Sequence, residues 1–439
     1  MAGRAGVVML AAVLLTGVPG VPGVPGVPTG QEAVAAEAPG SYAFEEDAPR
    51  VEGSLSTADA VQLETGRTYR STLPASGPVH YRLELDDASN VYASATAVPP
   101  GGGGAAVIDG VKVSVQDGDG RSCGVDTATF GAAASPHPVA AWAAREISPR
   151  RFLCKDAGTY YMIVERADPD GKGASPDAWE LELTTVSEPR PVRAGATTAP
   201  DAWNSASPEP VAGEARRRAG GAGFTEATPL GEGVWRDDIR PGRTLFYKVP
   251  VAWGRQLNAT AELGSSSSGG AGFVPAALDL DLYNPVRGHV ADVGIGYDGR
   301  QKSGSLSPLP PVAYANRHAP NSQVAAMRFA GSYYLVAHLA EKVADDFGDG
   351  PVPLTLRVRV SGTAQDGPGY AGESVPSDVF AAGGQDHEAA LDGPQADGSA
   401  NDDTVMTALA VGGIGTGSAL LVGLGVWTAV ARRRTVFPG

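Results

Sequence analysis

Residues Ala157–Val164 read AGTYYMIV, and residues Ala330–Val336 read AGSYYLV. Each copy joins a glycine, a hydroxyl residue and a Tyr-Tyr pair to an apolar run. The stretches on either side of the copies also align, and a fixed period of this kind indicates a repeated structural unit. The chain therefore contains one module twice, at a period of about 170 residues.

The alignment of the copies shows what kind of module this is. Residues 68–97 lie over residues 234–263 without a gap, so that Tyr69 matches Trp235. The matched positions alternate along the chain, and runs such as HYRLEL, VKVSVQ, LDLDLY and LTLRVRV share this period of two. Such alternation is typical of β-strands, and the Gly- and Pro-rich breaks are typical of turns. We predict an all-β protein with two tandem jelly-roll-like β-sandwich domains.

Both ends of the chain carry signals for export and anchoring. Arg4 precedes an uncharged apolar run at 5–15, which is the order of a secretory signal. Residues 404–431 hold no charged side chain, and the basic run 432–434 follows them. A membrane span needs roughly 20 apolar residues, and flanking arginines stay cytoplasmic. We predict a single-pass membrane protein with one C-terminal transmembrane helix, most of the chain outside the cell and a short cytoplasmic tail.

Changes in composition divide the chain further. The predicted segments are a signal peptide with a VPG-rich leader (1–38), a flexible segment (39–59), the first module (60–187), a linker (188–223), the second module (224–361), an acidic disordered stalk (362–403), the transmembrane helix (404–431) and the tail (432–439). The stalk is predicted because residues 361–403 hold nine acidic residues and no Lys or Arg. Low hydrophobicity with one sign of charge favours disorder.

The charge and the motifs narrow the function. The net charge of -15 argues against a nucleic-acid partner. The sequence contains no HExxH pair and no phosphate-binding loop, so we predict no catalytic, cofactor or metal site. A Ser–His–Asp set assembled from distant positions stays open. The histidines, which show no regular metal-binding spacing, are His80, His137, His289, His318, His338 and His387.

The two cysteines, Cys123 and Cys154, lie in the first copy. An even pair in an exported domain indicates a disulfide rather than two free thiols. The second copy has Val290 and Met327 at the aligned positions, as expected if two core positions are bridged in one copy and packed in the other.

Two acidic pairs and one basic run have both a functional and a structural interpretation. Asp117 and Asp119 begin like a calcium loop, but the later ligand positions do not fit and a turn is favoured. Asp279 and Asp281 share one strand face, where a solvated surface is favoured over acid–base or cation-binding work. The run 216–218 is interpreted as solvated or protease-sensitive rather than as a binding site.

Two tryptophans are candidate ligand-binding residues. Trp253 aligns with a turn position, where it is either an exposed platform or, as favoured, part of the core edge. Trp142 lies in the insert 130–152 that the second copy replaces, and inserts at the ends of sandwiches often carry binding sites.

The second copy carries LDLDLY at Leu278–Tyr283 and GSYY at Gly331–Tyr334, and the first copy keeps AGTYY but has VKVSVQ in place of LDLDLY. In this order the motifs resemble those of the bacterial prepeptidase C-terminal (PPC-like) domain family. The resemblance implies a jelly-roll-like β-sandwich that accompanies secreted enzymes or surface proteins and is usually not catalytic. The Gly- and Ala-rich composition with an anchor is also similar to exported surface proteins of high-GC Gram-positive bacteria.

These observations support a non-catalytic cell-surface binding or scaffold protein that binds another exported or wall-associated protein. The alternative is a carbohydrate-binding module for wall or environmental polysaccharide, and a hydrolase with an unrecognised site is a third hypothesis. A flat exposed cluster of Trp or Tyr side chains would favour the sugar, and an apolar patch with a polar rim would favour the protein.

Overall fold

The computed structural model describes residues 42–101, 105–148, 151–168, 176–193, 195–200, 202–209, 211–382 and 390. Within these ranges the chain is all-β, and the helical segments there are short: 3₁₀ turns at Gly131–Ala133 and Tyr314–His318, α1 (Ser322–Ala326) and α2 (Val343–Phe347). The predicted fold class is confirmed at this level.

The first module is built from nine strands. They are β1 (Val61–Gln62), β2 (Thr68–Leu73), β3 (Val79–Leu85), β4 (Ser89–Val98), β5 (Gly110–Asp117), β6 (Ser122–Thr129), β7 (Val139–Arg145), β8 (Gly158–Arg166) and β9 (Trp179–Pro189). Sheet I has the order β2-β9-β4-β7, and sheet II has the order β1-β3-β8-β5-β6. Alternate residues of both sheets meet in one core, with Leu83, Val113 and Leu183 fully buried.

The second module repeats this plan. Its strands are β10 (Arg216–Arg217), β11 (Thr228–Pro229), β12 (Gly233–Ile239), β13 (Thr244–Val251), β14 (Gln256–Leu263), β15 (Val274–Tyr283), β16 (His289–Tyr297), β17 (Lys302–Ser305), β18 (Gly331–Leu339) and β19 (Val352–Ser361). Sheet III has the order β10-β12-β19-β14-β17, and sheet IV has the order β11-β13-β18-β15-β16. Sheet III corresponds to sheet I, and sheet IV corresponds to sheet II.

Strand pairing confirms the sequence alignment of the copies. Tyr69 pairs with Leu183 in the first module, and its counterpart Trp235 pairs with Leu356 in the second. Equivalent residues thus keep equivalent partners across the sheets. The core constrains the strands in both copies, while the loops differ.

The repeated AGTYY and AGSYY stretches have a common structural reason. Tyr160 and Tyr333 point into the cores, and each donates a hydrogen bond to the carbonyl four residues earlier, over 2.7 Å to Asp156 and 2.8 Å to Phe329. The glycine before them has a positive φ, 150° at Gly158 and 132° at Gly331. L side chains rarely adopt that conformation, which explains the glycine in both copies.

The disulfide between Cys123 and Cys154 is present, as predicted, with a sulfur–sulfur distance of 2.03 Å. Their counterparts, Val290 and Met327, are both buried in the core of the second module. A bridge in one copy therefore replaces apolar packing in the other.

Removal of this bridge tests its energetic role. Replacing Cys123 by Val and Cys154 by Met, the residues of the second module, keeps apolar side chains but loses the cross-link. We expect unfolding in denaturant to become easier by about 3 to 4 kcal/mol, because the closed loop no longer restricts the unfolded chain. Wild-type protein treated with reductant should show the same loss, and an unchanged midpoint in both samples would contradict the expectation.

The two modules pack against each other through the outer faces of sheets I and IV. One apolar cluster joins Ala140 of β7 to Phe246 and Tyr283 of sheet IV. A second joins Tyr92 of β4 to Phe329 of the second module. The four sheets therefore stack, with apolar side chains between the modules as well as inside them.

Two predicted connecting segments differ from their expected form. The linker 188–223 includes the end of β9 and the strand β10, where Arg216 lies 4.0 Å from the ring of Trp235. The flexible segment 39–59 is described from Tyr42, which is buried, and Ser54 pairs with His80. Pairing with strand edges orders both, and in the basic run 216–218 Arg216 and Arg217 are exposed on the edge strand while Arg218 is buried.

The first half of the predicted stalk is also ordered. Residues 363–382, called the strap below, return across both modules and pair with the end of β9, where Val375 and Ser187 exchange backbone hydrogen bonds of 2.7 and 3.1 Å. Phe380 of the strap is 5% exposed and packs among Tyr92 and Phe329. The buried aromatic anchors explain why this acidic, Gly-rich segment is held in place.

The remaining predicted segments fall elsewhere. The leader 1–38, the span 404–431 and the tail 432–439 lie outside the described residues. Within the described part of the chain, no helix is long and apolar enough to cross a membrane.

Candidate functional site

The interface between the modules is held by two buried ion pairs on strand β9. Glu188 is fully buried and accepts hydrogen bonds from Arg317 (2.8 Å), Tyr92 (2.6 Å), Asn90 (2.9 Å) and Tyr370 (2.9 Å). Burial raises the pKa of Glu188, but the charge of Arg317 and these hydrogen bonds outweigh it and lower the pKa below its ordinary value. This carboxylate therefore stays ionised between the modules.

The second ion pair lies on the same face of β9. Glu182, also fully buried, pairs with Arg287 of the second module and accepts a hydrogen bond from the Tyr42 hydroxyl over 2.9 Å. Removing one partner of a buried pair leaves an uncompensated charge, which costs several kcal/mol. The ion pairs therefore fix the modules in one register, and the sandwiches form one unit.

A Ser–His contact lies in the same interface. The Nε2 atom of His338 is 2.9 Å from the Ser135 hydroxyl, and its Nδ1 atom is 3.0 Å from the hydroxyl of Thr244. The ring of His137 stacks on that of His338 with centroids 4.4 Å apart. Burial lowers the pKa of both imidazoles, so they are neutral at pH 7. Ser135 and His338 are 2% and 1% exposed, so the contact is buried within the interface.

Beside these contacts, a cavity of about 540 Å³ opens between the modules; we call it the intermodule cleft. Its size is typical of a small-molecule pocket. The polar and aromatic side chains that line it include, from the first module, Asp126, His137 and Trp142, and, from the second, Asp279, Asp281, Tyr283, His289, Asp292, Gln323 and Arg328. Both modules contribute, so the cleft exists only when they are docked.

Strands β15 and β16 position the charged groups of the cleft. Alternation along LDLDLY places Asp279 and Asp281 outward from the second core, and β16 lies beside them with Asp292 opposite Asp281. The Nε2 atom of His289 is 3.2 Å from Asp281 and 3.6 Å from Asp292. Burial lowers the pKa of His289, but the hydrogen bond to Asp281 and the nearby carboxylates outweigh it and raise the pKa.

The pKa of the Asp279 carboxyl group is strongly shifted by its position in the cleft. Burial, followed by the charges of Asp281 and Asp292, raises the pKa of Asp279 from 3.8 to about 8. Its Oδ1 atom is buried and accepts no hydrogen bond from the described residues. From the first module, Asp126 adds another carboxylate whose pKa burial raises. The predicted solvated face is thus wrong for the Asp279–Asp281 pair, because the first module covers it.

The pH dependence of stability tests the burial of Asp279. The folded protein holds this proton up to about pH 8, whereas the unfolded chain releases it near pH 3.8. This contribution to stability is therefore complete below pH 4 and is lost as the pH rises through 8, at up to about 1.4 kcal/mol per pH unit. Asp279→Asn should remove that loss, so urea unfolding should show the variant gaining on wild type from pH 5 to pH 8. Parallel curves for both proteins would contradict the assignment.

The first module provides an internal comparison for the cleft. The aligned positions of Asp279, Asp281 and Asp292 are Lys112, Ser114 and Val125, and His289 aligns with Ser122. The fold is the same in both modules, so the sandwich itself does not require these carboxylates.

The residues predicted from sequence occupy different places. Trp142 is on β7 and lines the intermodule cleft. Trp253 is half-buried and packs against the second core, and its carbonyl accepts a hydrogen bond from Gln365 of the strap over 2.8 Å. The favoured core-edge interpretation of Trp253 therefore agrees with its position, and the structure brings the two tryptophans to different sites.

Asp117 shows the hairpin turn favoured by the sequence. Its Oδ1 atom accepts backbone hydrogen bonds from Asp119 (3.1 Å) and Arg121 (2.9 Å) between β5 and β6. Over the residues that the structure describes, no group of three or more His, Cys, Asp or Glu side chains has an arrangement that could hold a metal ion.

Sequence reasoning missed Asp126, Asp292 and the Arg–Glu pairs altogether. One signal was present: outward positions of sheet IV are aromatic where those of sheet II are polar, with Phe246 in place of His80 and Tyr283 in place of Gln116. A difference of this kind between duplicated strands indicates that one outer face is covered.

No family model matches the chain, and no curated protein matches it. Among solved structures, it is similar to the CUB1-EGF-CUB2 domain of human MASP-1/3 (9% identity, 66% of this chain and 99% of that one, TM-score 0.16). It is also similar to the CBM22-1-CBM22-2 tandem domain of Paenibacillus barcinonensis Xyn10C (12%, 69% and 88%, 0.17) and to the tandem CBM51 modules of a family 98 glycoside hydrolase from Streptococcus pneumoniae (8%, 71% and 88%, 0.16). At these identities and TM-scores, the likenesses carry no argument about family or function.

Proposed function

We propose that the protein is a non-catalytic, exported binding protein that presents two docked β-sandwich modules as one unit. The intermodule cleft is its binding site, and another exported or wall-associated protein is its partner. The observation that carries this proposal is that both modules line one polar cleft of ligand size, while buried ion pairs hold them in register. A binding site of this kind needs both copies, which gives a functional reason for the duplication.

The exposed surface favours a protein partner over a flat sugar platform. The strongly exposed large apolar residues of the described chain include no Trp and no Tyr. They include Phe152 (86% exposed) and Leu153 (47%), which directly precede Cys154. The disulfide attaches this loop to β6, where Val125 is 58% exposed. Exposed apolar side chains held on a rigid loop are typical of contacts with another protein.

A polysaccharide is the second candidate partner, and one feature of the cleft favours it. Trp142 and Tyr283 line the same walls as the carboxylates. An aromatic ring beside hydrogen-bond acceptors can bind a sugar ring and its hydroxyls. The surface location proposed for either partner rests on the predicted signal at 1–38 and span at 404–431.

Site-specific photo-crosslinking in the native cells tests the proposal. A photoreactive residue at Gln323, which is exposed on the rim of the cleft, should capture one dominant exported protein. The same group at Arg300, exposed on the turn between β16 and β17, serves as the matched control and should capture little. Equal capture at both positions would contradict binding at the cleft. Capture of wall polysaccharide at position 323, in place of a protein, would support the second candidate partner.

A further inference from the structure

The charges around the intermodule cleft do not balance. Four aspartates line it, and the lining side chains that can supply positive charge are Arg328 and His289. Arg328 already pairs with Glu146, with its Nη1 atom 2.6 Å from the carboxylate. His289 is shared between Asp281 and Asp292. The cleft therefore holds more carboxylate charge than its own residues neutralise.

Part of this excess charge is removed by a bound proton. Asp279 faces Asp281 on its own strand, His289 and Asp292 on β16, His338 on β18, and, from the first module, Asp126 and His137. Burial and, after it, the repulsion of the neighbouring carboxylates keep the proton on Asp279 up to about pH 8. A cationic ligand would supply positive charge in place of that proton.

These carboxylates repel one another, and the fold does not require them. The first module forms the same sheet with Lys112, Ser114 and Val125 at the corresponding positions. Clustered acids that weaken a fold are typical of binding sites, where the ligand offsets the repulsion.

The shape of the cleft selects the type of cation. Its volume of about 540 Å³ is far larger than a metal ion, and no metal-binding arrangement exists within the described residues. The carboxylates are spread along two walls rather than gathered around a point. Trp142 and Tyr283 supply apolar and π surface beside them, on which an alkyl chain or a cationic group packs favourably.

We propose that the intermodule cleft binds an organic cation, an ammonium or guanidinium group carried on an apolar stem. This inference rests on the proposed function, because it names the group that the binding site recognises. The chemistry is shared by a lysine or arginine side chain on a partner protein and by a free polyamine. Binding displaces the proton from Asp279 and places the cation between the carboxylates of the two modules.

Calorimetric titration of the full chain tests the proposal with two probes. The first is Nα-acetyl-lysine-methylamide, whose free side-chain ammonium represents a lysine of a partner protein. The second is putrescine, which represents a free polyamine. At least one should bind more tightly at pH 8.5 than at pH 6, because Asp279 loses its proton over this range. Titrations at pH 7 in buffers of different ionisation enthalpy should show release of a proton on binding.

Variants and a neutral probe complete the design. Asp279→Asn should weaken binding by about tenfold or more, since one charge-assisted contact is lost, and it should abolish proton release. Glu165→Gln, on the corresponding outer face of the first module, removes the same charge elsewhere and should leave binding unchanged. Equal binding of the Nε-acetylated lysine probe would overturn the proposal, as would failure of both cationic probes to bind.

The outcomes also separate this inference from the proposed function. If neutral oligosaccharides bind at the cleft and the cations do not, the cleft is a binding site but the ligand class is wrong. If putrescine binds and no protein is captured at Gln323, the ligand class is correct but the proposed protein partner is wrong.

Discussion

Glu188→Ala should lower the free energy of unfolding by about 3 to 5 kcal/mol, because it leaves Arg317 buried without its counter-ion. Arg317 is held in a buried position by this carboxylate, which also accepts hydrogen bonds from Tyr92, Asn90 and Tyr370. Truncation removes the partner of all these donors at once. Chemical denaturation at pH 7 measures the loss.

Glu180→Ala is the matched control for this prediction. Glu180 lies on the same strand and pairs with Arg50 at 2.8 Å, but the two side chains are 39% and 55% exposed. Exposed pairs contribute about 0 to 1 kcal/mol, so this variant should remain close to wild type. Equal losses in the two variants would show that burial between the modules does not decide the effect.

The pH dependence of the Glu188–Arg317 pair follows from the direction in which the pKa of Glu188 is shifted. The folded-state pKa of Glu188 is lower than its ordinary value of 4.5, so its stabilising contribution is complete above about pH 4.5. That contribution is lost as the pH falls through the folded-state pKa. The difference between wild type and Glu188→Gln should therefore shrink in acid, and a constant difference down to pH 2 would contradict the ion-pair assignment.

Phe380→Ala should release the strap and lower the free energy of unfolding by about 3 kcal/mol. This value is at the lower end of the range for replacing a buried phenylalanine by alanine. Phe380 is 5% exposed. Its ring stacks on that of Phe329 in the second module, with centroids 5.1 Å apart, and lies edge-on to Tyr92 of the first module, with centroids 6.4 Å apart. Because the ring contacts both modules, its loss should weaken the attachment of the strap and the packing between the modules. Denaturant unfolding measures the change in stability.

Proteolysis reports on the strap directly. Glu373 is exposed within the strap, and a glutamate-specific protease should cleave there faster in Phe380→Ala than in wild type. Val375→Ala is the control, since Val375 is 45% exposed and binds Ser187 through its backbone, which the substitution keeps. Equal cleavage of all three proteins would mean that the buried ring does not hold the strap.

The strands, the repeat and the disulfide could be predicted because each depends on local or internally duplicated information. The alternation of residues in a strand reports which side is apolar, and the second copy reports which positions share a core. Cys123 and Cys154 could be paired by their alignment with Val290 and Met327. The PPC-like resemblance stays a prediction, as do the signal and the membrane anchor.

The site could not be predicted in the same way. The sequence pattern of an outward-facing strand residue is the same whether water or another sheet covers that residue. Glu182 and Glu188 alternate along β9 like solvent-facing residues, yet both are fully buried. Asp279 and Asp281 suggested a solvated surface for the same reason. The ordered strap was missed because its composition favours disorder, and a few buried aromatic anchors outweigh that tendency.

Local patterning in the sequence is enough to predict two copies of one β-sandwich, with a bridged core in the first copy and a packed core in the second. These features follow from period-two patterns and from the alignment of duplicated positions. Which outer faces meet, which charges they bury and where the intermodule cleft opens depend on contacts between distant parts of the folded chain. Glu188, for example, pairs with Arg317, which is 129 residues away along the chain. The environment of each such residue depends on a partner that its own strand does not specify.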